Sequence, residues 1–394
     1  MNIAIIGTRG IPNRYGGFEQ FAEKFSKSLV SCGHSVTVYN SHRHPYRNKD
    51  WKGIAIVHCK DLEPFIGPTG QFIYDLNCIL HSRTQGFDVI LQLGYTSSTI
   101  WGWLLPRKKS VIITNMDGLE WMRSKYSNST KKFLLYAERL GVKYSDYLVA
   151  DSLAIRDYLK KKYHKNSTYI AYGATAVMDC SDEILNKYGL VKYQYNMLLA
   201  RLEPENNIEM ILDGNIAASN QEAFLVIGNC QTKYGEYLKK KYSQHAFINF
   251  INSIYDIDEL NSLRYYSNIY FHGHSVGGTN PSLIEAMASG ALICAHDNIF
   301  NKIILGDDGY YFSNSEEVAG FIDVIKKEDA TEKLLNNVHK IEEEYSWKYI
   351  TDRYIMLFEK ALTEKKKNPL SPTNGNQRSN IYIQSKKEYP FSAK

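Results

Sequence analysis

Three stretches of this 394-residue chain combine residue types that can grip an anion or a sugar. The first is Gly16-Gly17, set directly before an apolar-periodic run. A backbone without Cβ atoms lets a ligand approach closely, and the free amides of a helix start favour negative charge. A diphosphate or a sugar hydroxyl suits that place, and so does a tight turn that needs glycine for its dihedrals. The second is Leu199-Ala-Arg201-Leu-Glu203-Pro204-Glu205-Asn206-Asn207. Pro204 fits the first turn of a helix and the two glutamates fit its positive end, which leaves Arg201 at a strand's carboxyl end. A guanidinium fixed there can hold a pyrophosphate bidentately, or it can pair with Glu203 or Glu205 on the surface. The third runs from His272 to Gly290, HGHSVGGTNPSLIEAMASG. The amides of Gly278, Thr279 and Asn280 can form an anion nest. One turn into the following helix, Glu285 can accept two hydrogen bonds from a ribose diol, or pair with a surface lysine.

Other patterns point away from chemistry. Glycines 7, 10, 16 and 17 lack the G-x-G-x-x-G spacing of a dinucleotide site, which argues against a dehydrogenase. Asp256-Ile-Asp258 has the form of a metal motif but stands before a helix with Glu259 three residues on, and reads as a capping box. Histidines 42, 44, 272 and 274 lack the i, i+4 spacing of helical metal ligands, so no metal site is expected. His272 and His274 flank the nest and can donate to a phosphate or sugar, or serve as ordinary loop residues.

These residues need elements to position them, and the chain supplies an alternation of strands and helices. Strand-like runs lie at Ile3–Ile6, Ser35–Tyr39, Ile54–His58, Asp88–Gln92, Ser110–Thr114, Tyr147–Ala150 and Thr168–Ala171. Helical patterns separate them: Phe18, Phe21, Phe25 and Leu29 share one face, and further patterns cover Thr130–Lys143 and Ser152–Lys161. The rhythm restarts at Asn196–Ala200, with strands at Phe224–Ile227, Phe247–Phe250, Ile269–Phe271 and Leu292–Ala295, and helices at Glu205–Ala218 and Ser282–Ser289. Two such blocks predict an α/β protein of two Rossmann-like domains, 1–175 and 176–345, with a cleft between them. Residues 173–193 read as the crossing linker, 346–362 as a final aromatic-rich helix, and 363–394 as a disordered tail.

Composition is that of a globular protein, 44% hydrophobic and 23% charged. No apolar run approaches the ~20 residues of a spanning helix, and Met1 leads straight into a strand, so neither membrane span nor signal peptide is expected. The six scattered cysteines fit reduced, mostly buried thiols in a cytoplasm. The net charge of +5 conceals an asymmetry. Residues 1–175 hold 24 Lys/Arg against 13 Asp/Glu, residues 176–362 hold 16 against 27, and the tail holds 7 against 2. A basic first half can face a lipid pyrophosphate, an anionic bilayer or nucleic acid, or simply attract the acidic half.

The pieces GGFE (16–19), ARLEPENN (200–207) and GGTNPSLIEAMASG (277–290) resemble the signatures of glycosyltransferase family 4, which has the GT-B fold. With IGTRGIPNRYGGFEQFAEKF, TNMDGLEWMRSKYS (114–127) and FHGHSVGGTNPSLIEAM, the chain is similar to a narrower bacterial branch that includes rhamnosyltransferases of capsule and O-antigen assembly. The likeness runs through everything but the tail. It implies a metal-independent, retaining enzyme without a cofactor, whose substrate is a nucleotide sugar (dTDP-L-rhamnose for the branch) held mainly on the second domain. The acceptor, a glycan or lipid-linked glycan, would lie on the first domain at the inner membrane face, with peripheral contact to an anionic membrane and no nucleic acid.

The same resemblance assigns roles. Arg201 would grip the diphosphate and stabilise it as it leaves, together with backbone amides. Glu285 would hold the ribose, and Gly16-Gly17 would close over the phosphates. Asn206, Asn207 and Gly277 to Asn280 would complete the donor site. Asp117 stands where many members have a histidine, and a carboxylate there can orient the acceptor hydroxyl and take its proton, unless it caps the next helix through Gly118. Tyr15 and Glu120 would meet the acceptor, and Trp121 could stack on a sugar ring. Two positions depart from the family: Asn206 stands where a second cationic Lys is usual, and Gly277 where many members have a donor-contacting Glu. A deoxy sugar with fewer hydroxyls suits the second departure. An epimerase of the same fold and a non-catalytic sugar-nucleotide or glycan-binding scaffold are the alternatives.

Overall fold

The structure, a computed structural model, describes residues 1–123 and 125–367, with Pro64 in its backbone alone. Two parallel sheets organise it. The first contains β1 (Asn2–Ile6), β2 (Ser35–Ser41), β3 (Asp50–Trp51), β4 (Ile54–Cys59), β5 (Val89–Leu93), β6 (Val111–Asn115), β7 (Tyr147–Ala150) and β8 (Thr168–Tyr169). Their order is β3-β4-β2-β1-β5-β6-β7-β8, parallel except for the β3–β4 pair. The second contains β9 (Tyr195–Leu199), β10 (Ala223–Ile227), β11 (Ile248–Ile251), β12 (Tyr270–His272), β13 (Ile293–His296) and β14 (Tyr310–Phe312), in the order β11-β10-β9-β12-β13-β14. Strands such as VILQL and VIITN are buried along their whole length because helices cover both sheet faces.

In each sheet the order reverses beside the first strand of its block: β5 follows β1 on the side opposite β2, and β12 follows β9 on the side opposite β10. Open α/β sheets bind ligands at the carboxyl ends of strands around such a reversal. The helix after β1, Gly17–Ser31, and the helix after β12, Pro281–Ala288, both begin there.

The final helix, Trp347–Lys367, runs five residues past the expected end and returns to the first domain. Its Tyr354 ring lies 4.7 Å from Phe25 and 5.7 Å from Phe21, and Lys365 bonds the carbonyls of Arg107 and Ser110. Residues 368–394, most of the expected tail, lie outside the described residues. Phe358 is fully buried in this aromatic seam. Phe358→Ala is therefore expected to cost about 3–5 kcal/mol of stability, read as a lower denaturation midpoint.

β3 and β14 were not anticipated, nor was the helix Gly70–Ser82. A two-residue and a three-residue strand carry too little periodicity to stand out. The linker region holds one short helix, Glu183–Asn186, anchored by buried Leu185.

Candidate functional site

The cleft is lined by the loops that leave the carboxyl ends of the two sheets. Gly16 and Gly17 open the first helix with Gly16 in an extended conformation (φ −169°), so neither glycine is there for a left-handed dihedral. A Cβ on Gly17 would stand 3.6 Å from Pro281 Cγ, which places this helix start against the helix start of the other domain. From one turn further in, the Gln20 amide reaches Glu285.

Glu285 does not pair with a surface lysine. Its Oε2 accepts from the Arg264 guanidinium at 2.7 Å, and Arg264 is fully buried. Both carboxylate oxygens thus have partners. Gln20 is the one that comes from the opposite domain.

Arg201 emerges exposed at the end of β9. Among the described residues its side chain forms no hydrogen bond or ion pair. Its acidic neighbours are engaged elsewhere: Glu203 pairs with Lys125 at 3.3 Å and Glu205 with Arg123 at 3.3 Å, both cations coming from the first domain. The surface pairing of Arg201 with either glutamate is therefore absent. Its charge acts on Tyr126 of one domain and His274 of the other, which sets it at the cleft.

Asn206 and Asn207 hold the loop together. Asn206 is buried and donates to the Arg201 carbonyl at 2.7 Å, while Asn207, in a left-handed conformation, donates to the Gly273 carbonyl at 2.7 Å. Their side-chain amides are thus engaged by main-chain carbonyls. Gly277 has φ +152° with open space around it, so a glutamate there would be strained.

One amide of the expected anion nest is engaged from within the protein. The Thr279 amide donates at 2.9 Å to Oδ2 of Asp151, a first-domain residue, and the Thr279 hydroxyl bonds the Asp151 carbonyl. Asn280 caps its own helix, accepting from the Ser282 amide at 3.0 Å. Thr279 is thus committed to an interdomain contact, and Asp151 had no part in the sequence reading.

Asp117 follows β6 and does not cap a helix. The next turn, Glu120–Met122, begins at Leu119 without a side-chain cap. Its carboxyl instead accepts the Tyr172 hydroxyl at 2.8 Å and lies within reach of the Asp151 carboxyl. Burial raises it above the ordinary carboxylate range, against the hydrogen bonds from Asp151 and Tyr172.

Glu120 is held by Arg123 at 2.8 Å, so it belongs to the Arg123–Glu205 bridge between domains. Tyr15 is exposed, with the Arg9 guanidinium 4.0 Å over its ring. Trp121 donates to Glu138 at 3.1 Å and packs beside Tyr158, a structural use of the ring. His272 and His274 stack at 4.4 Å. Burial drives both down, His272 to about 3, so both imidazoles are neutral at physiological pH. Asp256 accepts from the amides of Asp258 and Glu259 at 3.0 and 3.2 Å, the helix cap expected of it. Among the described residues no three His, Cys, Asp or Glu side chains gather as a metal cluster, and no helix is long and apolar enough to cross a membrane.

A family model described as a domain of unknown function (DUF1972) matches residues 1–175. No curated protein matches the chain by sequence. Among solved structures the chain is similar to sucrose-phosphate synthase from Thermosynechococcus elongatus, with TM-score 0.77 at 15% identity over 92% of this chain and 99% of that one. It is similar to HepE from Anabaena in complex with UDP and glucose, with TM-score 0.72 at 13% identity over 91% and 98%. It is also similar to the catalytic domain of starch synthase IV from Arabidopsis thaliana bound to ADP and acarbose, with TM-score 0.66 at 12% identity over 92% and 98%. At these identities the likeness establishes architecture: the chain has the GT-B fold, two α/β domains whose parallel sheets face each other across a cleft.

Proposed function

We propose that this chain is a glycosyltransferase that moves a sugar from a nucleoside diphosphate to an acceptor hydroxyl. The observation that carries the reading is Arg201, an unpaired guanidinium at the carboxyl end of β9 whose glutamate neighbours are drawn to cations of the other domain. An unneutralised cation in a cleft between two domains is a binding group for an anion. The similar structures support the choice of anion, since HepE is in complex with UDP and glucose and starch synthase IV is bound to ADP.

In this reading the diphosphate lies between Arg201 and the first-turn amides of Gly17–Ser31, at the gap bordered by Pro281. Gln20 yields Glu285 to the ribose diol, and Arg264 keeps that carboxylate aimed. The acceptor enters from the first domain near Asp117 and Tyr15. Its O–H bond breaks as its oxygen bonds the sugar's anomeric carbon on the face that the diphosphate leaves. The proton passes to Asp117, the nucleoside diphosphate departs with the electron pair of the broken C–O bond, and configuration is retained. In this reading Arg201 and backbone amides carry the leaving-group charge in place of a metal.

The finer assignment is L-rhamnose from dTDP-L-rhamnose, onto a glycan or lipid-linked acceptor of capsule or O-antigen assembly. It rests on the resemblance of everything but the tail to that bacterial branch. A cytoplasmic place at an anionic membrane face fits the basic first domain, which also exposes Phe65 and Trp103.

Ligand-induced stabilisation tests the core of this reading. A nucleotide at 100 times its Kd should stabilise the protein by about 2.7 kcal/mol. One of dTDP, UDP and GDP is expected to raise the melting temperature well beyond the others. A flat response to all three removes the nucleotide-sugar assignment. Release of nucleotide that depends on an acceptor separates the transferase from an epimerase and from a scaffold.

A further inference from the structure

The ends of β6, β7 and β8 assemble a group of which the proposed sugar transfer uses Asp117 alone. Asn115 of β6 lies opposite Val149 of β7. Two residues beyond each, Asp117 and Asp151 meet side by side, and Tyr172 joins them from the chain that follows β8. Two carboxyls in contact away from water cannot both be ionised without strong repulsion. The hydrogen-bond pattern tells which one keeps a proton. Asp151 is fully buried, and its Oδ2 accepts the Thr279 amide while its Oδ1 is buried with no donor directed at it. Asp117 instead accepts a donor, the Tyr172 hydroxyl. An ionised Asp151 leaves Oδ1 bare, whereas a neutral Asp151 accepts through Oδ2 and donates from Oδ1 to the Asp117 carboxylate.

We propose that Asp151 is a positioning residue: it carries the shared proton of the pair on Oδ1, holds Asp117 ionised and aimed, and ties that arrangement to the other domain through Thr279. Gly278 makes the junction possible, because a Cβ there would stand 1.9 Å from Asp151 Oδ2. The surrounding charges agree with this. Glu120 and Arg123 act on Asp117, while Asp151 faces Tyr169, Tyr172 and Tyr354 besides Asp117. Burial and the neighbouring carboxyl push Asp151 well above the ordinary carboxylate range. During transfer the acceptor's proton joins Asp117, the pair becomes neutral with two protons, and one is returned to water before the next cycle. The kinetic consequence rests on Asp117 being the base. The location of the proton does not.

The test compares Asp151→Asn, Asp151→Ala and the unaltered full chain in two ways. Asparagine can accept from Thr279 and donate permanently to Asp117, so it mimics the protonated acid. Alanine can do neither. The first readout is melting temperature against pH, which needs no substrate. A carboxyl raised in the folded state holds a proton that the unfolded chain has released, so stability falls as pH rises above about 4. The stability of Asp151→Asn relative to the unaltered protein is therefore expected to rise as pH climbs above the ordinary carboxylate range. A difference that stays constant with pH overturns the proposal. The second readout is turnover of the nucleotide sugar. Asp151→Ala should lose ~10²-fold in kcat at little change in donor KM, through misplacement of the base. Asp151→Asn should recover most of that loss and lack the alkaline decline that follows ionisation of Asp151. Equal loss in both variants, with unaltered pH limbs, makes Asp151 merely structural. If no nucleotide sugar is turned over by any form, the stability series still decides whether the pair keeps a proton in the folded state.

Discussion

Arg201→Ala is expected to lower kcat/KM for sugar transfer by about 10²–10³-fold, the usual effect of removing one donor from a preorganised anion site. Nucleotide affinity should fall with it, while the melting temperature of the free protein stays put. The separation follows from how Arg201 sits. It is exposed and unpaired, and a surface side chain without partners contributes within about 0.5 kcal/mol to folding. Its described neighbours are held elsewhere, Lys125 by Glu203. Asn206, which stands where the family places a second cation, is fastened to the Arg201 carbonyl, and Arg123 is held between Glu120 and Glu205. Lysine at 201 should restore only part of the activity, since a point charge cannot span two phosphate oxygens as a planar fork does. Paired measurements of kcat/KM and nucleotide affinity on Arg201→Ala, Arg201→Lys and the unaltered protein decide the matter. Unchanged nucleotide affinity in the alanine variant removes Arg201 from the site.

The strand–helix alternation was legible because a parallel sheet covered on both faces demands unbroken apolar runs, and ILQL, VIIT and YLVA are such runs. Arg201 and Glu285 were legible because their chemistry is local: a strand end, a proline, a helix start. What escaped was whatever depends on residues far apart in the chain. The Gln20–Glu285 contact spans 265 positions, and Arg123–Glu205 spans 82. No periodicity records such meetings. Asp151 is the instructive case. It follows YLVA as Asp117 follows the β6 run, so both carboxyls were visible at strand ends, but only the register Asn115 opposite Val149 sets them in contact. One amide of the expected anion nest escaped for the same reason: the amide at 279 was expected to await a ligand's charge, and a carboxyl of the first domain already meets it.

Asp117→Asn is expected to cut turnover by roughly 10²–10³-fold while leaving donor KM nearly unchanged, the range for losing a positioned general base. The amide is close in shape to the carboxylate and still accepts the Tyr172 hydroxyl, so the cleft should keep its form. The pH dependence sharpens the test. Burial lifts Asp117 above the ordinary carboxylate range, so activity of the unaltered enzyme should decline on the acid side at a higher pH than a solvated aspartate would give. Asp117→Asn should show only residual activity, without that limb. Stability moves the other way. A carboxyl raised in the folded state contributes stability at low pH that is lost as pH rises through its folded value. Removing it removes that loss, so the variant should be no less stable than the unaltered protein at neutral pH. A large fall in turnover beside undiminished stability marks a base that touches the acceptor. If the melting temperature and turnover fall together, Asp117 is a packing residue, and proton removal must be sought on the leaving diphosphate itself.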